Sequence, residues 1–164
     1  MEPAEALGTA AQIAVALAGF AGVVVVFRRE SVHEWSAVDK FRLRLLLLNS
    51  VLPFGLCMMG LLLLTVKPAS TAIWGLCSGA AFVVLSFFAI GVTAGFRRLG
   101  GQRLRSVRSN AVFFIFSALG MAATLLQLYN AALLQAFWPF FAGITLQLVG
   151  AMFQFVRMVL ALPE

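Results

Sequence analysis

The sequence predicts an all-α membrane protein: a bundle of five transmembrane helices, N-terminus outside and C-terminus in the cytoplasm, forming one integral membrane domain over 1–164. Three observations carry this. Of 164 residues, 62% are hydrophobic and 11% are charged, whereas a soluble domain carries about 25% charged residues. The apolar residues gather into five runs, each with at least the ~20 residues needed to cross about 30 Å of hydrocarbon. Finally, eleven of the twelve Lys and Arg residues fall on one side if the runs alternate in direction.

The runs are Ala6–Phe27, Leu45–Val66, Thr71–Phe96, Ala111–Ala136 and Phe140–Leu162. None has an acid in its interior. Backbone in lipid must satisfy its own hydrogen bonds, and unbroken apolarity does not suit the alternating strands of a barrel, so each run predicts a helix. The first does not read as a cleavable signal, because Glu2 and Glu5 make its start acidic and the run is too long. The second helix is expected to begin at Ala37, since Ser36 and Asp39 form a capping box, as do Ser31 and Glu34 just before them. Its first two turns should lie at headgroup level. Pro53 should kink it and free the carbonyl of Asn49. The third helix is expected over 71–96 and the fourth from Asn110 to 136. Phe137-Trp138-Pro139-Phe140-Phe141 reads as a short aromatic loop at the outer interface, with the fifth helix from Phe140 to 162 and Trp35 at the inner interface.

Charge sets the orientation. Arg28, Arg29, Lys40, Arg42 and Arg44 lie between the first two runs, and Arg97, Arg98, Arg103, Arg105 and Arg108 between the third and fourth. Arg157 lies near the end of the fifth, and only Lys67 is on the other side. The positive-inside rule then puts the N-terminus out. The same Arg97–Arg108 cluster is a candidate contact for anionic lipid, or for an acidic partner. The net charge of +6 does not predict nucleic-acid binding, because the charges punctuate apolar spans. Arg42-Leu43-Arg44 with Asn49 and Val51 recurs as Arg103-Leu104-Arg105 with Asn110 and Val112. In a chain rich in Leu and Arg this fits coincidence better than a duplicated hairpin.

Small and polar residues recur at helical spacing. Ala6, Ala10, Ala14, Ala18 and Gly22 form an i, i+4 ladder on the first helix, suited to close approach of another helix. The third carries Gly75, Gly79, Ser86 and Thr93, with Gly91 and Gly95 as a second pair. The fourth carries Asn110, Ser117, Gly120, Thr124 and Gln127. The fifth carries Gly143, Gln147, Gly150, Gln154 and Arg157, a seam of period 3.5. Two readings compete for the last two stripes. The favoured one is packing, with amides bridging antiparallel neighbours at about 0.6–2 kcal/mol per contact. The other is a hydrated path lined by Gln147, Gln154 and Arg157.

Catalysis is not expected, and neither is a cofactor or a metal site. There is no intramembrane carboxylate for coupled transport, and His33, the one histidine, cannot serve a His-rich metal site or paired haem ligation. It reads as a solvated loop residue. Cys57 and Cys77 form no CxxC and read as small buried apolar residues.

The Ile13–Phe27 segment, with Ala18-Gly19-Phe20-Ala21-Gly22, followed by Trp35, Ser36, Asp39 and Phe41-Arg42-Leu43-Arg44, resembles uncharacterised small multi-pass bacterial membrane proteins over about the first 50 residues. The resemblance implies a bacterial inner-membrane setting and no particular activity. The expected function is therefore assembly, as a homo-oligomer or an accessory subunit of a membrane complex, with the ladder on the first helix as the contact. The alternative is a channel or facilitator for a small neutral or anionic solute along the seam of the fifth helix. The expected partners are the bilayer, anionic lipids at its cytoplasmic face, and further copies or other membrane subunits.

Overall fold

The computed structural model describes residues 2–27, 35–66, 72–98 and 107–160, without the side chains of 27 and 107–113. The expectations for Arg28, Arg29, the Ser31–Glu34 box, Lys67, Arg103 and Arg105, and for the side chains of Arg108 and Asn110, lie outside the described residues, and so does the second copy of the repeat.

Among the described residues there are five helices and no strand: α1 (Pro3–Phe27), α2 (Ala37–Val66), α3 (Ala72–Arg98), α4 (Val107–Tyr129), which passes into a π-helical turn (Asn130–Leu134), and α5 (Phe137–Leu160). Each is long and apolar enough to cross a membrane. α2 starts where the capping box places it. The Asp39 N–H donates to Ser36 Oγ at 3.1 Å, the Ser36 hydroxyl donates to Asp39 Oδ2 at 3.0 Å, and the Lys40 N–H donates to the Ser36 carbonyl at 3.0 Å. The helix continues through Pro53, which is buried. The ring has no N–H to offer the Asn49 carbonyl.

Two boundaries correct the sequence reading. The aromatic segment 137–141 is not a loop but the first turn of α5, and the link from α4 is only Gln135 and Ala136. Pro139 fits there, because in the first turn of a helix the N–H it lacks would have had no partner anyway. α1 likewise begins earlier, at Pro3, for the same reason.

The helices alternate in direction. At one end Leu7 and Phe140 converge on Gly60, where an added Cβ would lie 2.9 Å from Leu7 Cδ1 and 3.5 Å from Phe140 Cε1, with Cys77 Sγ 3.9 Å away. Trp74 packs there at a tilt against Phe137, ring centroids 4.8 Å apart and planes inclined by 58°. This is the aromatic end. The other, the arginine end, carries Arg42, Arg44, Arg97, Arg98 and Arg157. α1 and α5 run side by side in the same direction, with Phe20 on Phe155 at 5.1 Å, and α2 runs against both. These three helices hold most of the buried core. α3 packs on α2 and α4, and α4 stands at the edge against α3 and α5. Cys57 and Cys77 are free and buried.

The expected ladder on α1 does not stay on one face. Ala6, Ala10 and Ala14 are buried within the subunit, but Ala18 is half-buried and Gly22 is exposed, with nothing within 4 Å of its Cβ position. The buried line instead runs Leu7, Ala10, Ala14, Leu17, Ala21, Val24. A step of four residues overshoots the 3.6-residue turn by about 40°, so four such steps carry a ladder well round the helix, whereas alternating steps of three and four hold the seam.

Candidate functional site

α5 is the helix around which polar chemistry collects. Its seam of small residues and amides lets the other four helices approach it, and 44% of its most apolar stretch is buried, against 11% for α4. The buried polar residues of the described chain are Ser50, Ser78, Gln127, Asn130 and Gln147. Most of them belong to one line of groups along α5.

At the aromatic end the line is closed by hydrogen bonds. Asn130 is fully buried at the start of the π turn. Its Nδ2 donates to Ser78 Oγ on α3 at 2.6 Å and to the Ala136 carbonyl at 2.9 Å, while its Oδ1 accepts from the Ala136 N–H at 3.0 Å. One side chain thus satisfies both backbone groups of the residue before α5 and ties the turn to a third helix. The turn itself closes with the Gln135 N–H donating to the Asn130 carbonyl at 2.8 Å, with Gln135 in the left-handed conformation (φ 49°, ψ 38°). Sequence reasoning missed Asn130, although it continues the α4 stripe three residues beyond Gln127.

One turn earlier, Gln127 Nε2 donates across to the Pro139 carbonyl of α5 at 2.6 Å. Gly143 makes room for it: a Cβ there would lie 2.6 Å from the same Nε2. Gln127 Oε1 is buried without a hydrogen bond.

From here toward the arginine end the pattern changes. Gln147 is only 5% exposed, and neither its Nε2 nor its Oε1 has a hydrogen-bond partner. Gln154 Oε1 is buried and unpartnered too. Across from them α2 runs antiparallel: Gly60 faces Phe140, and the Asn49 amide lies 3.8 Å from the Cβ position of Gly150. The same register sets Gln147 level with Pro53. Asn49 does not reach out to it. Its Nδ2 donates back to the Leu45 carbonyl at 2.9 Å, as Ser50 Oγ does to Leu46 at 2.8 Å. The line ends at Arg157, half-buried, with its guanidinium 5.6 Å from the Phe153 ring centroid. From Gln147 to Arg157 the helix rises about 15 Å, half the hydrocarbon thickness.

The remaining expected residues are not brought into this line. Ser117 is exposed on α4, Gly120 has nothing within 4 Å of its Cβ position, and the Thr124 hydroxyl donates to the Gly120 carbonyl at 2.8 Å. Of the α4 stripe, only Gln127 hydrogen-bonds α5 among the described side chains. Arg97 and Arg98 are exposed at the end of α3. No family model, no curated protein and no solved structure matches this chain.

Proposed function

We propose that the protein is a non-enzymatic subunit of the bacterial inner membrane, N-terminus out and C-terminus in, that acts by assembling with itself or with other membrane subunits, and that α4 is the helix it offers. The observation that carries this is the one-sidedness of α4. It is the least buried of the five helices, and its outward face combines exposed Ser117 and Met121 with the open surface of Gly120. Lipid gives no hydrophobic reason for helices to meet, and small residues with a hydroxyl supply close packing and a hydrogen bond. The α1 ladder, which first suggested assembly, is largely spent inside the subunit. The test is the mass of the native particle in nanodiscs for wild type and for Ser117→Leu/Gly120→Ile. A larger particle reduced to a single chain by the double substitution supports the reading. A wild-type protein that is monomeric and co-purifies with nothing rejects it.

A second reading, a path for a small neutral or anionic solute, is favoured by Gln147. A buried amide with every polar atom unpaired costs roughly 1–3 kcal/mol or more, and a solute or water moving along the α5 seam would satisfy it in transit. Arg42 and Arg157 would concentrate anions at the inner mouth. Toward the aromatic end the seam meets fully buried Phe140 and Ile144, so transit needs those side chains to move. Flux into liposomes, compared between wild type and Gln147→Leu, decides it: flux no greater than in empty liposomes removes this reading.

A further inference from the structure

α2 and α3 touch at both ends and part between them. At the aromatic end Cys77 Sγ lies 3.9 Å from the Cβ position of Gly60, and at the arginine end a Phe41 ring carbon lies 2.8 Å from that of Gly95. In between, nothing lies within 4 Å of the Cβ position of Gly91. The result is a groove of about 380 Å³, open to the outside of the bundle, with Leu48 and Leu52 on one wall, Phe88 and Gly91 on the other, and Phe41 at its lower end. Among the described residues a single charged side chain lines it, Arg44, which is exposed. Arg44 immediately precedes the apolar run that starts at Leu45, so it sits where hydrocarbon gives way to headgroups, and the wall from Arg44 to Leu52 extends about 12 Å toward the bilayer centre.

We infer that this groove holds one acyl chain of an anionic phospholipid whose phosphate is taken by Arg44. The occupant follows from the setting and the charge. A groove that opens at this depth faces lipid tails, its walls are apolar, and the one polar group at its rim is a cation at phosphate height. The guanidinium offers a fork of donors matched to phosphate oxygens. The site lies on a different pair of helices from the α4 face, so the inference rests on the bilayer placement of the bundle and not on assembly. It adds an anionic-lipid contact on α2 to the one expected at the Arg97–Arg108 segment.

The test is native mass spectrometry of the full chain released from nanodiscs of equal phosphatidylglycerol and phosphatidylcholine. Wild type should retain phosphatidylglycerol over phosphatidylcholine by roughly fivefold, the preference expected of one interfacial Arg. Arg44→Gln should bring that preference close to parity while a lipid is still retained. Gly91→Leu should fill the groove and lose the retained lipid of either kind. Equal retention of the two lipids by wild type overturns the inference, as does undiminished preference in Arg44→Gln. Retention undiminished in a folded Gly91→Leu overturns the groove as its seat. Arg44 is exposed, so its variant keeps the test decisive if Gly91→Leu does not fold.

Discussion

The two halves of α5 carry the same kind of side chain to different ends. Toward the aromatic end, Gln127 reaches α5 from α4 and bonds its backbone, and Asn130 of the π turn bonds the residue before α5, leaving none of its donors or acceptors idle among Ser78 and Ala136. Toward the arginine end, Gln147 and Gln154 belong to α5 itself and present buried amide atoms that nothing meets. The difference lies in what stands opposite. Helix ends and turns offer backbone groups that need partners, and amides placed there find them. A mid-membrane helix has spent its backbone groups on itself, apart in α2 from the Asn49 carbonyl that Pro53 frees. Level with Gln147 stands Pro53, and a turn farther along α2 Asn49 and Ser50 have turned their side chains back on the carbonyls of Leu45 and Leu46. An amide at a helix end is structure, while one in mid-helix needs something else to justify it.

Substitutions can break or sharpen this contrast, each measured as unfolding free energy in bicelles. Asn130→Ala should cost the most, roughly 2–4 kcal/mol, because it strands the Ala136 N–H and unties the turn from Ser78. A cost below about 0.5 kcal/mol would show that the turn holds without its staple. Ala14→Ile, fully buried against the other core helices, should cost about 1–3 kcal/mol by overpacking. Gly22→Ile, on the same former ladder, should cost at most a few tenths. Equal costs at the two positions would restore the ladder as a single face. Gly143→Ala should lose about 1–2 kcal/mol, since the new methyl displaces Gln127 from the Pro139 carbonyl. Pairing it with Gln127→Ala should recover part of that loss. Gln147→Leu should move the other way and stabilise by about 1 kcal/mol, because it removes an unpaired amide and keeps most of the volume. Destabilisation there would mean that the amide is partnered in the folded protein after all.

Much of the fold was legible because lipid demands so little of a sequence: apolar runs of the right length announce helices, and Ser36 with Asp39 announces where α2 begins. What could not be read depends on rotation and on neighbours. The α1 ladder looked continuous as a string of residue types, but the 3.6-residue turn carries Gly22 off the face that holds Ala10. The segment 137–141 looked like a loop, because a sequence does not say whether a proline such as Pro139 stands before a helix or in its first turn. Asn130 lay in plain view at the next step of the α4 stripe, yet its role depends on Ser78, 52 residues away in sequence, and on a π turn that no local pattern announced. The α5 seam was visible as a period. That its two ends differ, one closed by hydrogen bonds and one open, came only with the partners in place.

The two-residue link between α4 and α5 bears on how the chain enters its membrane. Between Arg108 and Arg157 there is no charged side chain, and Asn130 satisfies the polar backbone of the turn from within. The two helices with their turn therefore form a hairpin whose tip asks little of water. Such a hairpin can insert as one unit, with no charged group to carry across the hydrocarbon. Under the positive-inside rule the arginines at its two feet would stay on the side from which it entered, giving the α4–α5 pair an orientation of its own, independent of the three helices before it.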